Sequence, residues 1–232
     1  MDTNKLSLNV SKTKLVEYSH CNAGIYNGVI GLEGNLLRST ECCVYLGVKL
    51  DEGLNFAEHV GYIVGKVSKS IGILYRAKHH LPTQSRIDFY YSFIYPILSY
   101  CIIVWGGTCS SYLKNLIIQQ KKALRIIADV PFRSHTSPLF KKFNILKLND
   151  VYKFNLAVFM FKNRDKFICS HNINTRQREQ SVTEFHRLTK TQRAVSFMGP
   201  RIWNSLPQEI RDIRSFSRFK IFLKKYFTSS YT

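Results

Sequence analysis

Asp51-Glu52 is the one place in this chain where two carboxylates stand side by side. Paired carboxylates are the ligands that a hard divalent cation such as Mg²⁺ takes. Gly53 follows at once, however, and the three residues read as a solvated turn that closes a strand. Two further clusters have zinc-ligand chemistry, His20 with Cys21 and Cys169 with His171. Neither is matched by a second pair at zinc-finger spacing, so both read as ordinary core or surface residues. His79-His80 closes a helical stretch among basic residues and reads as a surface pair. The chain contains neither a G-x-x-x-x-G-K-[ST] phosphate loop nor a G-x-S-x-G nucleophile elbow. Residue types alone therefore assign no catalytic residue and no metal ligand.

The charge is more informative. The 232 residues carry a net charge of +19, with an apolar fraction of 45% that suits a globular protein with a sizeable core. From Met1 to Val60 there are 5 Lys/Arg against 7 Asp/Glu, and from Gly61 to Thr232 there are 29 against 8. A near-neutral front thus carries a strongly basic body, which would attract a polyanion. Nucleic acid is the first expectation and an anionic membrane surface the second. The six cysteines show no C-x-x-C spacing and no signal-peptide pattern precedes Leu6, so free thiols in an intracellular compartment, nuclear or cytoplasmic, are expected. The most apolar run, Ile94 to Trp105, includes Pro96 and is far short of the roughly 20 residues of a membrane span.

The elements that must position these charges follow from hydrophobic period. Residues Lys14 to Ser19 read as a short strand, Gly24 to Leu37 as hairpin turns at Asn27-Gly28, Gly31 and Gly34, and Cys42 to Leu50 as one strand. After Phe56 the period changes. Val60, Ile63, Val64, Val67, Ile71 and Leu74 recur at spacings of 3 and 4, predicting an amphipathic helix with Lys66, Lys69, Arg76 and Lys78 on its other sides. Pro82 opens a second helix with Thr83 as a cap, running through Trp105 with a bend at Pro96 and a stop at Gly106-Gly107. Leu113, Leu116, Ile117, Leu124 and Ile127 build a third, with Lys114, Lys121, Lys122 and Arg125 exposed and a stop at Asp129-Val130-Pro131. A short helix from Pro138 to Leu146 and one capped by Asn149 or Asp150 come next. Residues 169–193 are polar and read as a linker. In the last segment Phe216, Phe219, Leu223 and Tyr226 share a helical face. Phe89, Phe93, Phe159, Trp105 and Trp203 are expected to pack rather than bind.

Three stretches stand in a telling order: "SKTKLVEY", "CVYLGVKLDEGLNFAEHV" and "YYSFIYPILSYCIIVWGGT" with "QQKKALRII" after it. Their succession resembles the later part of the reverse transcriptases of non-LTR retrotransposons, the jockey-like elements. The closing "GPRIWNSLP" with "SFSRFK" resembles the C-terminal end of those proteins.

The resemblance implies the palm end, a primer-grip hairpin, a thumb and a tail. It places Lys12 and Lys14 near the phosphates of an incoming nucleotide, and Tyr45, Leu46 and Gly47 in the primer-grip strand. It makes Lys66, Lys69, Lys121, Lys122 and Arg125 candidates to face a duplex backbone. The partners it implies are RNA, DNA or an RNA–DNA duplex, together with the fingers and catalytic palm that precede the lysine motif in the family. Nucleotidyl transfer uses two divalent ions held by carboxylates. Asp2 is the only acidic residue before the lysine motif, so no cofactor is expected in this chain and Mg²⁺ only with a palm. The expected function is non-specific nucleic-acid binding by a part of an RNA-directed DNA polymerase that is not active alone. Two alternatives stand beside it. The chain could be a truncated form of a complete reverse transcriptase. It could equally be an inert element-derived fragment whose C-terminal helix meets a membrane surface or another protein.

The expected fold is α+β, predominantly α. Its divisions are a β element over 1–55, a thumb-like helical bundle over 56–166, a polar linker over 167–195 and a C-terminal helical segment over 196–232.

Overall fold

A computed structural model of the chain describes residues 9–18, 30–32, 34–164 and 187–231. The chain is α+β and predominantly helical, with two small antiparallel sheets of two strands each. It divides into two compact units, Met1–His59 and Val60–Thr232. His20, Cys21, Asn27, Gly28, Cys169 and His171 lie outside the described residues, as does most of the expected linker.

In the first unit a 3-10 turn, Val10–Lys12, is capped by Asn9, whose Oδ1 accepts from the Lys12 N–H at 3.2 Å. Within 14–18 only Leu15 makes a bridge, parallel to Ser39, in place of the expected strand. β1 (Ile30–Leu32) pairs with β2 (Asn35–Leu37), and the reversal uses Gly34 at a φ of 78°, which glycine adopts without a Cβ clash. β3 (Cys42–Tyr45) pairs with β4 (Val48–Asp51) in the register Cys42↔Asp51 to Tyr45↔Val48. The expected single strand from Cys42 to Leu50 is therefore corrected to a hairpin. Its two-residue turn is Leu46-Gly47, with φ of 46° and 79°, the backbone that matches the twist of the paired strands. After β4 the Asp51 carboxylate accepts from the Asn55 N–H at 2.9 Å and from the Phe56 N–H at 2.7 Å. These bonds hold Leu54 and Phe56 in the left-handed region, at φ of 50° and 58°.

α1 (Ala57–Ala77) lies almost wholly in the second unit. Val60, Ile63, Val67, Ile71 and Leu74 are buried along it, as their spacing predicts. The expected second helix is instead a broken series: α2 (Thr83–Phe89), a π turn over Tyr90–Ile94, α3 (Tyr95–Ser99) and α4 (Ile102–Trp105). Pro82, not Thr83, occupies the cap position, with no side-chain bond. Pro96 sits in the first turn of α3, where its missing N–H is not needed, and the π turn before it absorbs the misfit. The break falls later, at Cys101, whose φ is 49°. The Trp105 indole N–H donates to the Tyr100 carbonyl at 2.9 Å and so satisfies a group left by that break.

α5 (Ser110–Ala128) buries Leu113, Leu116, Leu124 and Ile127 and ends at Asp129 in the left-handed conformation. α6 (Ser137–Lys142) and α7 (Leu148–Lys162) follow. Lys147 takes the cap position of α7 in place of Asn149 or Asp150. α8 (Thr189–Gln192), α9 (Val195–Ser205), α10 (Gln208–Arg211) and α11 (Phe216–Ser229) complete the unit. α9 and α11 both pack on α7, so the C-terminal segment joins the bundle core. Phe219 and Leu223 are buried on α11, but the third member of the stripe is Phe227, not Tyr226, which is 40% exposed. Phe93 is also corrected, being 56% exposed, whereas Trp105 and Trp203 are buried as expected.

A buried polar junction ties these helices together. The Gln120 amide of α5 donates to the Tyr90 hydroxyl and to the Leu146 carbonyl, each at 2.9 Å. Its oxygen accepts from the Leu148 N–H, also at 2.9 Å. Nearby, the Tyr231 hydroxyl donates to Asp150 at 2.6 Å and accepts from the Lys147 N–H at 3.0 Å. Burial and the Asp150 hydrogen bond push the Tyr231 phenol well above its ordinary range. At the other end of α7, Arg164 donates to the carbonyls of Arg211 and Ile213 and lies over the Phe161 ring at 4.1 Å.

Gln120→Ala strands three buried hydrogen-bonding groups, each worth about 1–3 kcal/mol when left unpaired. Urea unfolding of this variant should show a loss of about 3 kcal/mol or more. Tyr231→Phe, which removes one hydroxyl at the edge of the junction, should lose about 1–2 kcal/mol. Near-equal losses would mean that Gln120 is not the anchor.

Candidate nucleic-acid interface

The basic residues are held on two helices whose inner faces the core fixes. α1 exposes Lys66, Lys69 and Arg76, and α5 exposes Lys114, Lys121 and Lys122. Among the described residues Lys66, Lys69, Lys121 and Lys122 form no ion pair with a carboxylate. Lys66 lies over the Tyr62 ring at 4.5 Å, and beyond the end of α1 Lys78 lies over Tyr75 at 5.4 Å. Lys78 also pairs with Asp129 at 3.0 Å. That hydrogen bond holds the Asp129 carboxyl below the usual range.

Arg125 differs from its neighbours on α5. It is half-buried, its Nε donates to the Ser134 carbonyl at 2.9 Å and its guanidinium lies over Phe132 at 5.5 Å. One of its five N–H donors and the ring contact thus tie it to the 131–134 turn.

The outer face of α1 has a second unusual feature. Gly61, Gly65 and Gly72 recur on the side that carries Lys69 and Arg76, and a Cβ at any of them would meet nothing within 4 Å. Glycine inside a helix is about 1 kcal/mol less favourable than alanine. Among the described residues no packing accounts for these three. They leave bare backbone on a face ringed by cations, which is the geometry for close approach of an extended anionic surface.

α1 and α5 also form the walls of a groove of about 470 Å³. Lys122 lies on its edge, so the structure brings this residue to the α1 face. Lys12 and Lys14 are exposed in the first unit, on and just after the 3-10 turn. Tyr45 and Leu46 are 64% and 72% exposed at the tip of the β3–β4 hairpin, with Gly47 completing the turn. Sequence reasoning had missed the groove and the glycine face. The second was legible as glycines at helical spacing within a strongly periodic segment.

The described residues do not fit a Mg²⁺ centre. Asp51 already accepts two backbone N–H groups, and no group of three or more His, Cys, Asp or Glu side chains converges among the described residues. Cys42, Cys43, Cys101 and Cys109 are free thiols. At Cys109 the Ser111 hydroxyl donates to the sulfur at 3.2 Å and draws the thiol pKa down. No described helix is long and apolar enough to cross a membrane.

Over about half its length the chain is similar to curated polymerases of mobile elements. It is 30% identical over 125 residues to the RNA-directed DNA polymerase from mobile element jockey of Drosophila melanogaster, a match covering 52% of this chain and 14% of that polymerase. It is 27% identical over 124 residues to the jockey polymerase of Drosophila funebris, covering 52% of this chain and 14% of that one. To the probable RNA-directed DNA polymerase from transposon BS of Drosophila melanogaster it is 26% identical over 119 residues, covering 50% of this chain and 13% of the other. The chain is thus related in sequence to RNA-directed DNA polymerases of non-LTR retrotransposons, and its match spans only about a seventh of their length. No family model and no solved structure matches it.

An open α1 face makes a simple prediction about stability. Gly65→Ala and Gly72→Ala should each raise the urea midpoint, by up to about 1 kcal/mol in stability. A lower midpoint for either would mean that the face is packed, not open.

Proposed function

We propose that this chain binds nucleic acid, without sequence readout, through the outer faces of α1 and α5. It does so as the thumb and tail of a retrotransposon RNA-directed DNA polymerase. The observation that carries this reading is the outer face of α1, where Lys66, Lys69 and Arg76 surround bare glycine backbone on a unit strongly short of acids. Unneutralised like charges repel across a compact unit, and a phosphate backbone relieves that repulsion while releasing its own counterions. The sequence relatives are RNA-directed DNA polymerases, which gives the polyanion its most natural identity.

In this reading residues 1–55 form the end of a palm with its grip hairpin and 56–166 form a thumb. The C-terminal segment, 196–232, packs on that thumb as its tail. Lys12 and Lys14 meet the nucleotide, and Tyr45, Leu46 and Gly47 meet the primer end, when a catalytic palm is present. Lys121 and Lys122 extend the duplex contact from α5, and Arg125 supports it by holding the adjacent turn. In this reading the chain alone does not extend a primer, since among the described residues no carboxylates converge on a metal site. The Phe219, Leu223 and Phe227 stripe of α11 is spent on the core, whereas Ile221, Phe222 and Tyr226 of the same helix stay exposed.

Affinity for an RNA–DNA duplex should fall linearly on a log–log plot against salt, with a slope of about −0.7 to −0.9 per phosphate contacted. The combined Lys66→Ala and Lys69→Ala variant should bind more weakly and show a shallower slope by about 1 to 2. A slope near zero for the wild type would overturn the reading. In a primer-extension assay with Mg²⁺ or Mn²⁺, the purified chain should incorporate no nucleotide. Template-dependent incorporation would show that the metal site had been missed.

A further inference from the structure

The groove between α1 and α5 has a floor and walls of different chemistry. Ile71, 2% exposed, lines it together with Gly72, Tyr75, Gln119, Lys122 and Phe132. Its volume of about 470 Å³ falls within the range of about 300–1,000 Å³ typical of small-ligand clefts. Two aromatic side chains stand open to solvent there, Phe132 at 70% and Tyr75 at 58% exposed. Lining one groove together, the two rings form a shared aromatic patch and are not single scattered surface residues. Each is accompanied by a cation, Arg125 over Phe132 at 5.5 Å and Lys78 over Tyr75 at 5.4 Å.

A phosphate backbone meets lysines on any open face, and a duplex keeps its bases stacked inside. Rings beside cations, an apolar floor and an amide suit something else: an unpaired base, with Lys122 for its phosphate and Gln119 for its edge. We infer that this groove takes an unpaired nucleotide, stacking its base on Phe132, so that the chain prefers nucleic acid with a single-stranded segment to a blunt duplex. This rests on the nucleic-acid reading above and adds a place and a substrate form to it. Gly72 is part of the device. A Cβ there meets nothing within 4 Å, so a side chain at this position would stand in the groove instead of clashing with it.

The test compares the full chain with three variants by fluorescence anisotropy. The probes are a labelled blunt RNA–DNA duplex and the same duplex with a single-stranded overhang. The wild type should bind the overhang form about five- to a hundredfold more tightly, the range expected from stacking one base. Phe132→Ala should erase that preference, read as the ratio of the two affinities, whereas Phe132→Tyr should keep it. Gly72→Leu, which fills the groove with a good helix former, should erase the preference without lowering the melting temperature. Equal wild-type affinity for the two probes would overturn the inference and leave the duplex reading standing, as would a preference that survives Phe132→Ala. Absence of any binding would overturn both. Concentration-dependent dimerisation lost in Phe132→Ala would make a second copy the occupant, and that too would overturn it.

Discussion

The buried amide of Gln120 is the contact on which the second unit turns. One side chain joins α5, the π turn at Tyr90 and the backbone on both sides of Lys147. Its donors and its acceptor are all engaged, so it is favourable only in this arrangement of helices. A buried polar group that is fully satisfied selects one packing among many that greasy surfaces would allow. The consequence reaches the surface. α5 is fixed in rotation by Gln120, and with it the directions in which Lys121, Lys122 and Arg125 point. The groove against α1 exists because those rotations are fixed.

The C-terminus reinforces the same junction. Tyr231 bonds to both Asp150 and the Lys147 N–H, and Phe140 meets its ring edge-on at 6.1 Å. α11 closes over α7 through Phe161, Trp203 and Phe219, with Phe161–Phe219 ring centres 4.5 Å apart. A segment that reads in sequence as a separate tail thereby belongs to the core. With its stripe spent in this way, the unit's excess charge is left on the outer helix faces.

Much of this was legible from residue order. The period of Val60 through Leu74 fixed the buried face of α1, and Asp129-Val130-Pro131 marked the end of α5. The misses have physical causes. "CCVYLGVKL" contains a run of β-prone residues with no Asn-Gly or Asp-Gly signal, so the turn at Leu46-Gly47 is hidden by a leucine in the left-handed region. Pro96 was the obvious place for a bend. A proline in a first turn is harmless, and the real discontinuity at Cys101 has no local marker. The substitution of Phe227 for Tyr226 in the stripe is a one-residue shift between two aromatics that spacing alone does not separate. Gln120 is invisible for a different reason. A glutamine in a basic helix reads as solvent-facing until its three partners, from distant positions, are seen around it. The candidate site divides the same way: the lysines follow from charge and spacing, while the groove needs two helices in register.

The central claim is that α1 and α5 face the nucleic acid. It is tested most directly by lysine acetylation footprinting of the full chain, read by mass spectrometry with and without an RNA–DNA duplex. The account predicts strong protection of Lys66, Lys69 and Lys122, with the exposed Lys220 and Lys225 of α11 reacting as before. Protection confined to the α11 lysines, or no protection under conditions where the duplex is bound, would contradict it.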